Sequence, residues 1–178
     1  TVAPTRTTGA GLALPAPPSR TAAGAGTATV APARTVAAIV SRVVSGDTLD
    51  VMIGAEPARV RLIGVEAGGD AAPPGGTCFG PEATAHVQQL VVQAGRQVLL
   101  EKDVSEADAT GRLLRYVWLP GAGAPVLLNE DLAGQGYAQV RPTPPDGKYQ
   151  DRLRAAQQAA QAQHRGRWAV CPPTTPQR

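Results

Sequence analysis

Three apolar, β-branched runs follow one another between Val36 and Val65 with only tight turns between them, and nothing else in the chain constrains its fold as much. The first run is Val36-Ala-Ala-Ile-Val-Ser-Arg-Val-Val44, closed by a turn at Ser45-Gly46, and the second is Thr48 to Ile53. A third covers Ala58 to Val65, where alternation sends Val60, Leu62 and Gly64 to one side and Arg59, Arg61 and Ile63 to the other. Runs of this composition and spacing predict a three-stranded antiparallel meander with one buried face.

Beyond it the period changes. Gly80-Pro81-Glu82 opens a helix, with proline suited to the first turn and glutamate beside the positive end of the dipole. Ala83, Val87, Leu90, Val91 and Ala94 then recur on one face, and Gly95 can end the helix. His86 lies off that stripe and reads as a solvated surface residue. Strands are expected at Gln97 to Lys102 and Leu113 to Leu119, separated by the polar loop Asp103 to Arg112. A short helix is expected over Val126 to Ala133, and a last amphipathic one carries Tyr149, Leu153, Ala156 and Ala160 ahead of Trp168. Five strands are the number an OB-type barrel requires. The expected class is α+β, a five-stranded OB-type β-barrel with three packed helices.

Residues 1 to 34 are almost entirely Ala, Thr, Pro and Gly, and no period organises them. Such a tract cannot recover its ordering entropy through burial and reads as a flexible linker. The folded domain is then expected over 35–171, with loop character at Glu66 to Thr77 and a disordered tail at 172–178. No apolar run approaches the roughly 20 residues of a membrane-spanning helix. The chain starts at Thr1, so a leader removed before it is an expectation consistent with a secreted or extracytoplasmic protein tethered through the linker. A net charge of +3 admits a polyanionic partner without requiring one. Cys78 and Cys171 bracket most of the domain. They could close a disulfide that adds about 4 kcal/mol by loop entropy, or remain separate thiols. A zinc site made with His86 and His164 fits no short ligand spacing.

The most specific signal is distributed. Ser45-Gly-Asp47-Thr48, Arg61-Leu-Ile-Gly-Val65-Glu66, Gly80-Pro-Glu-Ala83, Gly111-Arg112, Asn129-Glu130 and Gly-Arg-Trp168 occur in that order on that topology. Together they make the stretch from about Thr35 to Cys171 resemble the staphylococcal nuclease (thermonuclease) family, calcium-dependent phosphodiesterases that cut DNA and RNA. The resemblance implies Asp47 and Glu66 as calcium carboxylates and Ala67 as a backbone-carbonyl ligand. It implies Arg61 and Arg112 as the forks that grip the scissile phosphate, a role that bidentate guanidinium chemistry suits.

Two departures from the family pattern stand beside the matches. Where the family reads Asp-Thr-Pro-Glu, this chain reads Glu66-Ala67-Gly68-Gly69, so the general-base position is Gly69 and Asp70 stands one residue on. The tyrosines that contact the nucleotide are replaced by Arg141-Pro142-Thr143-Pro144-Pro145, and Thr110 stands where a tyrosine is common. Tyr137 and Tyr149 read as packing residues. The expected function is a monomeric calcium-dependent nuclease acting on single-stranded DNA or RNA, with Asp70 assisting the water. The alternative is a catalytically degenerate OB-fold module that binds nucleic acid or protein.

Overall fold

A computed structural model describes residues 34–67, 78–121 and 123–171. The expectations for the N-terminal linker, the 68–77 part of the glycine-rich loop and the tail at 172–178 lie outside the described residues.

The first strand, β1 (Val36–Ser45), is long enough to serve two neighbours. Its first half, Val36 to Ile39, pairs antiparallel with β5, and the half from Ile39 to Ser45 pairs with β2 (Thr48–Ile53). Two register irregularities, between Val40 and Arg42 and between Val43 and Ser45, bend the strand from one partner to the other. Next come β3 (Glu56–Leu62), β4 (Val65–Glu66), α1 (Gly80–Gln93), β5 (Gln97–Glu101) and β6 (Leu113–Leu119). The sheet closes because Val60 to Leu62 of β3 pair in parallel with Leu113 to Arg115 of β6. Strands β1, β2, β3, β5 and β6 thus form a closed five-stranded OB-type barrel, the α+β fold expected from the chain. The remaining elements are β7 (Val126–Leu127), α2 (Leu128–Gly134), β8 (Gln139–Val140), α3 (Gln150–Ala162) and α4 (Arg167–Val170).

Several boundaries differ from the sequence reading, each for a local reason. Strand β3 begins at Glu56 rather than Ala58, because Pro57 lies where β3 has β2 as its ladder partner and β6 has not yet joined. Ile63 is fully buried instead of sharing the face of Arg61. The strand ends at Leu62, the Ile63 N–H donates to the Arg115 carbonyl, and Gly64 at φ +77° turns the chain. The second helix starts at Leu128 rather than Val126, since Val126 and Leu127 pair with Leu119 and Trp118. Trp168 sits in a fourth helix of one turn.

The stripe on α1 packs as expected: Ala83, Val87 and Val91 are buried against the barrel and Leu90 and Ala94 flank it. Asn129 ties the helical layer to the barrel. Its side chain is fully buried, Oδ1 accepts the Val117 N–H at 3.0 Å, and Nδ2 donates to the Ile63 carbonyl at 2.8 Å. Both backbone groups would otherwise be left without those partners where β3 ends. Tyr149 packs edge-on to Tyr116 and Trp118, and its hydroxyl bonds Glu101, so it is a packing residue as read.

Cys78, just before α1, is joined to Cys171, just after α4, with Cα atoms 5.8 Å apart. The bond removes both thiols from the alternative of separate cysteines and from the zinc set. Because it closes a loop of 93 residues, reduction or a Cys78→Ser/Cys171→Ser pair is expected to cost about 4 kcal/mol. The check is the urea midpoint with and without reductant.

Candidate active site at the barrel mouth

The turn between β1 and β2 carries Asp47 into the protein rather than out of it. Its side chain is 6% exposed and is ringed by donors. Ser45 and Thr48 hydroxyls donate to Oδ1 at 2.9 and 3.0 Å, the Ala67 N–H donates to Oδ2 at 2.9 Å, and Arg61 forms an ion pair with Oδ2. The Asp47 carbonyl also accepts the Leu62 N–H at 2.9 Å. A buried carboxylate is tolerable only when paired and hydrogen-bonded, and Asp47 has both kinds of partner.

The glycine before Asp47 makes this approach possible. A Cβ placed on Gly46 would lie 2.7 Å from the Cβ atoms of both Ala67 and Ala83. Two motifs that look independent in sequence, Ser45-Gly-Asp47 and Gly80-Pro-Glu-Ala83, are therefore the two halves of one close contact. Gly136 and Gly166 meet in the same way near Trp168: a Cβ on Gly166 would lie 2.6 Å from the Gly136 carbonyl oxygen.

Strand β4 brings Glu66 beside this cluster, because Ala67 is the residue that holds Asp47. Glu66 is nearly half exposed and accepts Arg141 Nε at 2.8 Å, with β4 and β8 paired Val65 to Val140 and Glu66 to Gln139. Arg141 is thus engaged with a carboxylate. Arg167 is buried, which pushes its guanidinium below the usual arginine range, while Glu66 opposes that shift and Arg141 adds to it.

Arg112 lies in the loop just before β6, two residues ahead of Leu114, the β6 partner of Arg61. Asp108 orients it: the Asp108 carboxylate accepts the Thr110 N–H at 2.9 Å, the Thr110 hydroxyl at 2.7 Å, the Arg112 N–H at 3.1 Å and Arg112 Nε at 2.7 Å. Burial alone would raise this carboxyl. The bonds from Thr110 and Arg112 outweigh it and hold the group well below the usual carboxylate range. Asp108 was not singled out in the sequence, although the spacing Asp-x-Thr-Gly-Arg is that of an aspartate turn closing on its own loop.

Asp47, Arg61, Glu66 and Ala67 are brought together, and Arg112 is fixed by its own carboxylate. Gly69 and Asp70 lie outside the described residues. His86 is not a solvated surface residue: Nε2 lies 2.6 Å from Asp131 Oδ1, and the ring stacks on Tyr137 at 4.1 Å. It links α1 to α2 through its side chain, a contact invisible from the apolar stripe because Asp131 and Tyr137 meet His86 away from that stripe.

A barrel closed by β3 and β6, with a buried aspartate at the first turn and an arginine on each of the closing segments, defines a nuclease-like class of α+β domain. The sequence model described as staphylococcal nuclease homologue matches residues 59–170. The chain is 34% identical over 131 residues to a thermonuclease of Staphylococcus hyicus and 32% identical over 131 residues to one of Staphylococcus intermedius. Each match covers 73% of this chain and 74% of the relative. It is also 35% identical over 80 residues to the protein ParB of Escherichia coli, covering 45% of this chain and 40% of that one. The chain belongs to the staphylococcal nuclease homologue family.

Gly46→Ala is expected to cost about 1–3 kcal/mol, because Ala67 and Ala83 are held by backbone and cannot both yield. The test is equilibrium urea denaturation, in which a stability equal to the parent chain would show that the contact is not tight.

Proposed function

We propose that this protein is a nuclease that hydrolyses phosphodiester bonds of DNA or RNA, acting as a monomer with calcium in an oxidising, extracytoplasmic setting. The observation that carries the reading is the buried Asp47, which collects Arg61 from β3 and the Ala67 N–H beside Glu66, in a member of the thermonuclease-containing family. The disulfide supports the compartment. Among the described residues no helix is long and apolar enough to cross a membrane.

Asp47 and Glu66 offer carboxylate oxygens and Ala67 a carbonyl, the hard donors that calcium takes. Among the described residues no group of three or more His, Cys, Asp or Glu side chains forms a metal cage. A cation held by these three donors would complete its shell with water. When bound, calcium supplies a Lewis acid for the phosphoryl oxygens and lowers the pKa of a bound water.

The protein's own part is positioning and charge. Arg61 reaches Asp47 through Nη1, and the rest of its fork is assigned to a non-bridging phosphate oxygen. Arg112, steadied by Asp108, takes a second. As water attacks, a P–O bond forms and the bond to the leaving ester oxygen breaks. The two guanidiniums share the charge that develops on the phosphoryl oxygens. Asp70, assigned on sequence alone, receives the water's proton, and the leaving oxygen takes one from solvent.

The second reading, a module that binds without cutting, is favoured by the ion pairs themselves: Arg61 already balances Asp47, and Arg141 already balances Glu66. Digestion of single-stranded DNA by the purified chain, with and without calcium, separates the two. Arg112→Ala is expected to lower the calcium-dependent rate about 100- to 1,000-fold, and Asp108→Asn to lower it less while weakening substrate binding. Tight binding with no digestion at any calcium concentration would establish the module instead.

A further inference from the structure

A groove of about 790 Å³ opens on the outer face of the barrel, lined by Ser41, Asp50, Pro57, Arg59, Thr110 and Arg112 among others. Among the described residues, Arg112 is the one expected site residue that lines it. Asp50, Arg59 and Arg112 form its polar wall, and Arg42, bonded to Asp50 just beyond the lining, extends that wall into a cross-strand row. Arg42 on β1 lies opposite Asp50 on β2, and Asp50 lies opposite Arg59 on β3. One position before the β3–β6 ladder, which starts at Val60 and Leu113, Arg112 comes beside Arg59. Four positions at ~4.8 Å between strands give a row about 14 Å long, enough for two or more nucleotides of a strand.

The row is ordered and open. Asp50 accepts Arg42 Nη2 at 2.9 Å and Arg59 Nε at 2.7 Å, while the two arginine side chains remain 65% and 49% exposed. The Arg59 bond, against the opposing effect of burial, holds the Asp50 carboxyl below its ordinary value. Solvent-open ion pairs contribute little to stability, so folding alone does not explain a row of this kind. One carboxylate instead fixes two guanidiniums and leaves an excess of positive charge. That arrangement reduces the ordering cost of binding an anion. Below the row, Pro57 and Ala58 give an apolar floor suited to sugar or base faces.

We propose that this groove carries the single strand flanking the scissile phosphate, with Arg59 and Arg42 on successive backbone phosphates and Arg112 as the junction with the site. The inference rests on the nuclease reading, since Arg112 is what links the groove to the cleavage position. It supplies the strand contact that the tyrosines missing at Thr110 and from the run Arg141 to Pro145 do not make, and it makes that contact electrostatically rather than by stacking.

The test is equilibrium binding, by fluorescence anisotropy in calcium, of two cleavage-resistant phosphorothioate probes: a single strand of about 12 nucleotides and a dinucleotide. The full chain is compared with Arg59→Glu and, in case that variant fails to fold, with Arg42→Gln. Arg59→Glu is expected to weaken the long strand about tenfold and to reduce the salt slope by about 0.7–1. The dinucleotide should lose far less, so the preference for the longer strand falls. Arg42→Gln should move the same quantities by a smaller factor. Equal losses on both probes, or long-strand affinity within twofold of the parent with an unchanged salt slope, overturns the groove and leaves the nuclease reading standing. A parent chain that binds neither probe overturns both.

Discussion

The carboxylate of Asp47 is the interaction on which the rest of the site depends. It lies where three segments that are distant in sequence have to meet: the β1–β2 turn, the end of β3 and the single residue after β4. An unpaired charge in that position would cost several kcal/mol. The donors around it are therefore conditions for folding as well as parts of a site. Its backbone carbonyl adds a fourth tie, to Leu62. Structural and proposed catalytic roles are consequently hard to separate there: removing Arg61 would take away the proposed phosphate ligand and leave a buried anion with one fewer partner.

The helical layer secures the same region from behind. Gly46 lets Ala83 of α1 press against Ala67, and Asn129 of α2 pins the backbone where β3 ends. The disulfide then joins Cys78, two residues before α1, to Cys171, the residue after α4, so the two ends of the helical layer cannot separate. His86, Asp131 and Tyr137 connect α1 to α2 between these points. Ala83 and His86 engage α1 directly and Cys78 anchors the chain just ahead of it, and Ala83 is the α1 residue that closes on the Asp47 turn.

Much of this was readable in the sequence because the physics is local there. Alternation put Val60 and Leu62 on the inward face of β3, proline and glycine marked the ends of α1, and the motif order pointed to the site residues. The failures share a cause. Ile63 broke the alternation because the strand ends at Leu62, three residues before Val65, where the Ile63 N–H turns to a non-local hydrogen bond with Arg115. Val126 and Leu127 read as helix because their pairing partner, β6, lies several residues away across a loop. His86 looked solvated because one helical stripe says nothing about a second packing side. The Arg42–Asp50–Arg59 row was illegible for a further reason: its members are separated by eight and nine residues and become neighbours only through strand register.

Charge is organised in this protein by pairing rather than by excess. Arg61 is held by Asp47, Arg112 by Asp108, Arg59 by Asp50 and Arg141 by Glu66, which is why a net charge of only +3 is a poor guide to what the surface can bind. A guanidinium held by one carboxylate keeps part of its donor fork and loses little rotational freedom when a phosphate arrives. The pairing also sets a limit on affinity, because each carboxylate repels the incoming anion at short range. A strand would be bound in register and released without the strong salt-resistant grip of an unpaired arginine cluster. For the proposed nuclease, whose turnover would require product to leave, that compromise is physically preferable to a larger positive field.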